Sequence, residues 1–121
     1  MKVILWVAGL LHAGFLFAEM FPLSNPCLLR SVSPNFSATF AGNELRLVSI
    51  IVHNAGIYNG IVAGGLFWAA SGKASLDVAR VMLIGAVVAG IFGVSISWWT
   101  LVQAAVGIIG LLLLPKRTAV Q

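Results

Sequence analysis

Four apolar stretches, residues 3–21, 47–70, 78–95 and 99–114, take up most of the 121-residue chain. Crossing the hydrocarbon of a bilayer takes about 20 helical residues at about 1.5 Å rise each, and about 17 suffice. Each stretch is therefore read as one crossing, the second with some tilt and the fourth near the lower limit. Only 8% of the residues are charged and the mean hydropathy is +1.06. A soluble domain carries about 25% charged residues, so this chain lacks the polar surface to cover a water-facing globule. No run of alternating residues suggests barrel strands. The expected fold is an all-α membrane protein, a single domain over residues 1–121 built as a four-transmembrane-helix bundle.

Lys2 followed by an apolar run resembles a signal peptide. Cleavage after Ala18 would place bulky Leu16 where a small residue is needed, and His12 interrupts the apolar region, so the first segment is read as a retained helix. With an even number of crossings, both termini and the second loop share a face that bears Lys2, Lys73, Arg80, Lys116 and Arg117. The opposite face bears Arg30 and Arg46, partly offset by Glu44. That bias predicts cytoplasmic termini and a multi-pass protein of the plasma membrane, the inner membrane in a bacterium. The basic residues form no patch interleaved with aromatics, so the net charge of +4 is assigned to orientation and not to nucleic acid. The lone Cys27 has no disulfide or metal-thiolate partner in the chain.

The first loop, residues 22–46, contains Pro22, Pro26 and Pro34 and cannot be one continuous helix. Leu29, Val32, Phe36 and Phe40 recur at roughly helical spacing, which suits a partly ordered segment lying on the outer membrane surface. It could serve as a lid, but a loop that merely keeps phenylalanines out of water is the preferred reading.

The residues that hydrocarbon tolerates least are His12 and Glu19. Seven residues apart, they are separated by about 10.5 Å of rise and about 20° of rotation, and so share one stripe. The second helix adds His53, Asn54, Tyr58 and Asn59, and the fourth adds Gln103. By depth, Glu19, His53, Asn54 and Gln103 should converge in the outer half, with His12, Tyr58 and Asn59 below them. That describes a polar pocket opening outward, able to take a small ligand or a metal. Glu19 and His53 are the candidate metal ligands; His12 would lie about a turn too deep. No Glu-x-x-His pair supports a di-iron bundle, haem held by two histidines is a weaker form of the same idea, and no cofactor is specified.

Blander roles exist for each residue. Asn54, Asn59 and Gln103 could be interhelical hydrogen-bond glue, and Tyr58 a core aromatic. His53 could be interfacial, and Glu19 could snorkel toward Arg46. His12 could be a neutral ring bonded to Asn59. Trp98 and Trp99 are read as belt anchors. Gly56, Gly60 and Gly64, and again Gly85, Ala89 and Gly93, form small-residue ridges expected to carry close packing or homo-oligomer contacts. Serine nucleophile, phosphate-loop and dinucleotide patterns do not occur.

The pattern His12–x6–Glu19–Met20–Phe21, then Asn54–x–Gly56–Ile57–Tyr58–Asn59–Gly60, then "VAGIFG" at 88–93 and Val102–Gln103 resembles the DUF1304 family of small four-helix bacterial membrane proteins. The resemblance covers essentially the whole chain. Ala55 stands where such proteins usually carry Gln between Asn and Gly, which removes one polar group. The resemblance implies the fold and the polar positions, with no activity attached. In outline, four helices and an acidic residue in the first also resemble the small multidrug resistance proteins, where a central carboxylate exchanges protons for a cation. Glu19 lies near the outer end and the charge bias favours one orientation, so transport ranks below ligand binding and below a structural accessory role.

Overall fold

A computed structural model of the chain describes residues 1–21, 43–95 and 98–115. Among them are four helices and no strand: α1 (Lys2–Met20), α2 (Asn43–Ala70), α3 (Leu76–Gly93) and α4 (Thr100–Leu113). The interfacial segment expected in the first loop, with Arg30 and Cys27, lies outside the described residues.

α1, α2 and α3 are each long and apolar enough to cross a bilayer. α2 begins four residues before the expected 47, its first turn holding Glu44. α4 has 14 residues, about 21 Å of rise and short of a hydrocarbon core about 30 Å thick. Phe92 (77% exposed) and Leu112 (78%) face outward, which lipid accepts and water would not.

The helices pack as two antiparallel hairpins, α1 on α2 and α3 on α4, which meet along α2–α3 and α1–α4. A tight turn joins α2 to α3. The Lys73 N–H bonds the Trp68 carbonyl at 3.3 Å and the Gly72 N–H bonds the Ala69 carbonyl at 3.0 Å. Gly72, at φ +78, supplies the left-handed residue on which this helix ending depends.

Between helices in lipid the hydrophobic effect drives little, so close approach depends on small residues. On α3 these are Ala79, Ala86 and Gly90, all buried, and on α4 Ala104, Gly107 and Gly110. A Cβ on Gly90 would lie 2.5 Å from the Ala104 nitrogen and 2.7 Å from the Thr100 carbonyl oxygen. The ridge expected at Gly85, Ala89 and Gly93 is thus turned: nothing lies within 4 Å of a Cβ on Gly85, Ala89 is exposed, and a Cβ on Gly93 would meet α4 at Thr100. One residue is about 100° of helix, so Ala86 and Gly90 look inward where their neighbours look to lipid. On α2, Gly56 packs on Met20 and Glu19 and Gly60 on Leu16, whereas Gly64 meets nothing within 4 Å.

The apolar core occupies one end of the bundle. Leu5 and Ala8 of α1, Leu66, Ala69 and Ala70 of α2, and Ala79 and Leu83 of α3 form it with Leu114 just past α4. All lie toward the termini and the α2–α3 turn. Polar side chains begin where this core stops.

Candidate functional site

Along α1 the sequence runs from core Leu5 and Ala8 to His12, one turn further, and to Glu19, two turns beyond that. His12 is fully buried. Its Nδ1 lies 2.8 Å from the Ala8 carbonyl oxygen, which can only accept, so Nδ1 carries a proton. Its Nε2 lies 3.1 Å from Nε2 of Gln103, itself buried, across the α1–α4 contact. With the Gln103 amide donating, the imidazole is the neutral Nδ1–H tautomer, and both ring nitrogens are satisfied. The Phe15 ring meets the imidazole edge to face, with centroids 6.4 Å apart.

Glu19 is half-buried at the end of α1 away from the termini. Its Oε2 accepts a 2.7 Å hydrogen bond from Asn59 Nδ2 of α2. The partner is a neutral amide, and among the described residues the one salt bridge is Arg80–Asp77, on a different helix. Snorkelling toward Arg46 is therefore replaced by an interhelical bond within the bundle.

These pairings differ from the expected ones. His12 takes Gln103 and not Asn59, and Gln103 lies level with His12 and not with Glu19. The shortness of α4 explains the depth: its first turns start well inside the span of α1, so Gln103 reaches the middle of that helix. His12 and Glu19 share a stripe as their spacing requires, but α1 stands at a corner of the bundle. The stripe meets α4 at His12 and α2 at Glu19.

Asn54 and Tyr58 do not join the site. Both are exposed, Tyr58 at 62%. Relative to inward-facing Asn59, Tyr58 is rotated about 100° and Asn54 about 140° around α2, which turns both off the inner face. His53 is half-buried on the α1 side of α2, and its ring is not among the hydrogen-bond partners of Glu19. No group of three or more His, Cys, Asp or Glu side chains that could hold a metal occurs among the described residues. Replacing Tyr58 with Phe is expected to change stability by less than about 0.5 kcal/mol in a thermal unfolding scan, as for other surface changes. A larger loss would show that Tyr58 has a buried partner.

The site comprises two polar pairs stacked along the inner face of an apolar helical bundle, one closed and one half-open. This fold and site define a small all-α protein whose three longest helices are long and apolar enough to span a membrane, with polar pairs set between its helices. A family model described as "Protein of unknown function (DUF1304)" matches residues 6–115. The chain belongs to that family. No curated protein and no solved structure matches it.

Proposed function

We propose that this protein binds a small cationic or hydrogen-bond-donating ligand at Glu19. In this reading, Asn59 orients the carboxylate and the His12–Gln103 pair forms a rigid floor. The supporting observation is the Glu19 carboxylate itself, half-buried in a membrane-spanning helix with a neutral amide as its partner. Ionisable groups within membrane helices are costly and usually mark a ligand or ion site. The charge bias supports a plasma-membrane orientation with cytoplasmic termini, so that the site opens to the outside. Labelling single cysteines placed in the α2–α3 turn, from either side of intact cells, checks that orientation.

The binding reading is tested by titrating primary alkyl amines into the purified protein in detergent and following the unfolding temperature. A ligand at about ten times its Kd stabilises by about 1.4 kcal/mol. Wild type and Tyr58→Phe should both gain that stabilisation, and Glu19→Gln and Asn59→Leu should lose it. Equal stabilisation of Glu19→Gln, or none of wild type by any amine, would overturn the proposal.

A structural accessory role is favoured by one observation, the mutual satisfaction of His12 and Gln103 at full burial. Interhelical bonds of this kind lock a bundle without binding anything. Transport draws no comparable support, because Glu19 is the penultimate residue of α1 and not central.

A further inference from the structure

At the end of the bundle bearing the termini, far from Glu19, a groove of about 540 Å³ runs between α3 and α4. It is lined by Asp77, Arg80, Val81 and Ile84 of α3, by Leu111 of α4, and by Leu114 and Pro115 just beyond it. Val81 (63% exposed) and Ile84 (49%) face away from the core, so the groove lies on the surface turned to lipid. Arg80 is about one turn inside α3 at its membrane-boundary end, with Ile84 one turn deeper.

We propose that this groove is a binding site for an anionic phospholipid, with the headgroup phosphate held by Arg80 and an acyl chain laid along Val81, Ile84 and Leu111. The order of chemistry along the groove carries the inference: a guanidinium at headgroup level, then apolar side chains running toward the middle of the bilayer. Arg80 is pre-positioned by hydrogen bonds from Nη1 to Asp77 Oδ1 at 2.8 Å and from Nη2 to the Pro115 carbonyl at 2.7 Å. These engage two of the five donors that the guanidinium fork presents. A fork held in place suits a phosphate, which it can contact through two parallel bonds. Asp77 offsets one positive charge, but Lys73 is exposed in the adjoining turn and Pro115 is followed in sequence by Lys116 and Arg117. The formal charge at this end therefore favours a net-negative headgroup over a zwitterionic one. A solvent-facing phosphate site would need no apolar floor, which favours a lipid over a free phosphate ester.

Native mass spectrometry of the protein released from mild detergent tests this. The probes are phosphatidylglycerol, phosphatidylcholine with the same chains, and soluble glycerol phosphate. Wild type should retain phosphatidylglycerol about five-fold over phosphatidylcholine, the ratio expected from one basic residue at the membrane surface. Arg80→Gln should erase that preference, and Arg80→Lys should keep part of it. Ile84→Trp, which fills the groove, should lower binding of both lipids. Circular dichroism confirms that each variant is folded. If Arg80→Gln fails to fold, the Arg80→Lys and Ile84→Trp variants decide. Equal retention of the two lipids by wild type would show annular lipid only and overturn the proposal. So would undiminished binding to Ile84→Trp, or glycerol phosphate binding as tightly as the lipid.

Discussion

Gly90→Ala is expected to unfold the α3–α4 hairpin at a markedly lower temperature than wild type, at a cost of about 1–3 kcal/mol. A methyl group at this position would meet the Ala104 nitrogen at 2.5 Å, the Ala104 Cβ at 2.7 Å and the Thr100 carbonyl oxygen at 2.7 Å. Two of these atoms are backbone, so no side-chain rotation relieves the clash and the helices must separate. Separation would then loosen the neighbouring contacts, where Gly107 lies against Val87 and the Leu83 carbonyl, and Gly110 against the Leu83 side chain. Gly85→Ala is the matched control. Nothing lies within 4 Å of its added carbon, and alanine is favoured over glycine in a helix by about 1 kcal/mol. Unfolding followed by circular dichroism in detergent should show the first variant destabilised and the second unchanged or improved. If Gly85→Ala proves the damaging one, Ala86 and Gly90 do not form the face of α3 that packs on α4.

The second large effect falls on His12. Truncation to alanine removes a fully buried ring bonded at both nitrogens and leaves a cavity beside Phe15. Large-to-small changes at buried sites cost about 2–5 kcal/mol. Stranding the Gln103 amide adds to this, an unsatisfied buried polar group costing about 1–3 kcal/mol. A cycle of His12→Phe, Gln103→Leu and the double variant separates packing from pairing. The double variant should be less destabilised than the two single losses sum to, with a coupling of about 0.6–2 kcal/mol. Additive losses would mean that the two side chains do not bond. The same cycle bears on function. If His12→Phe lowers stability but leaves amine binding at Glu19 intact, the buried pair is architecture and the ligand site lies wholly in the Glu19–Asn59 pair.

The two pairs also show how far spacing carries. His12 and Glu19 stand out in the sequence because each is ionisable within an apolar run, and their seven-residue separation places them on one stripe of α1. The partners were not legible. Asn59 and Gln103 are each polar residues in apolar helices, as are Asn54 and Tyr58, and all four are equally plausible inward-facing groups from spacing alone. What separates them is the rotation of α2 about its own axis, which puts Asn59 inward and its neighbours outward. A strongly amphipathic helix announces that rotation through its apolar stripe. These helices are apolar nearly all round, so the stripe is missing. The small-residue ridges fail for the same reason: two overlapping sets of small residues run along α3, and only packing against α4 selects Ala86 and Gly90. The Arg80 groove is likewise hidden, since it needs Leu111 and Pro115 brought beside Arg80 from more than thirty positions away in the chain.

The apolar lengths and the rarity of charge are enough to mark an all-α chain suited to a membrane, because both are properties of composition along the chain, and the motif order is enough to mark the family. Sequence by itself also determined which ionisable groups lie within the bundle and how far apart they stand on one helix, because helical rise and twist are constants. Tertiary structure alone decided that His12 bonds Gln103, that Glu19 bonds Asn59, and that Asn54 and Tyr58 face outward. The physical reason is that helix geometry sets angles within a helix, while the rotation of one helix against another is set by interhelical contacts that no single segment encodes.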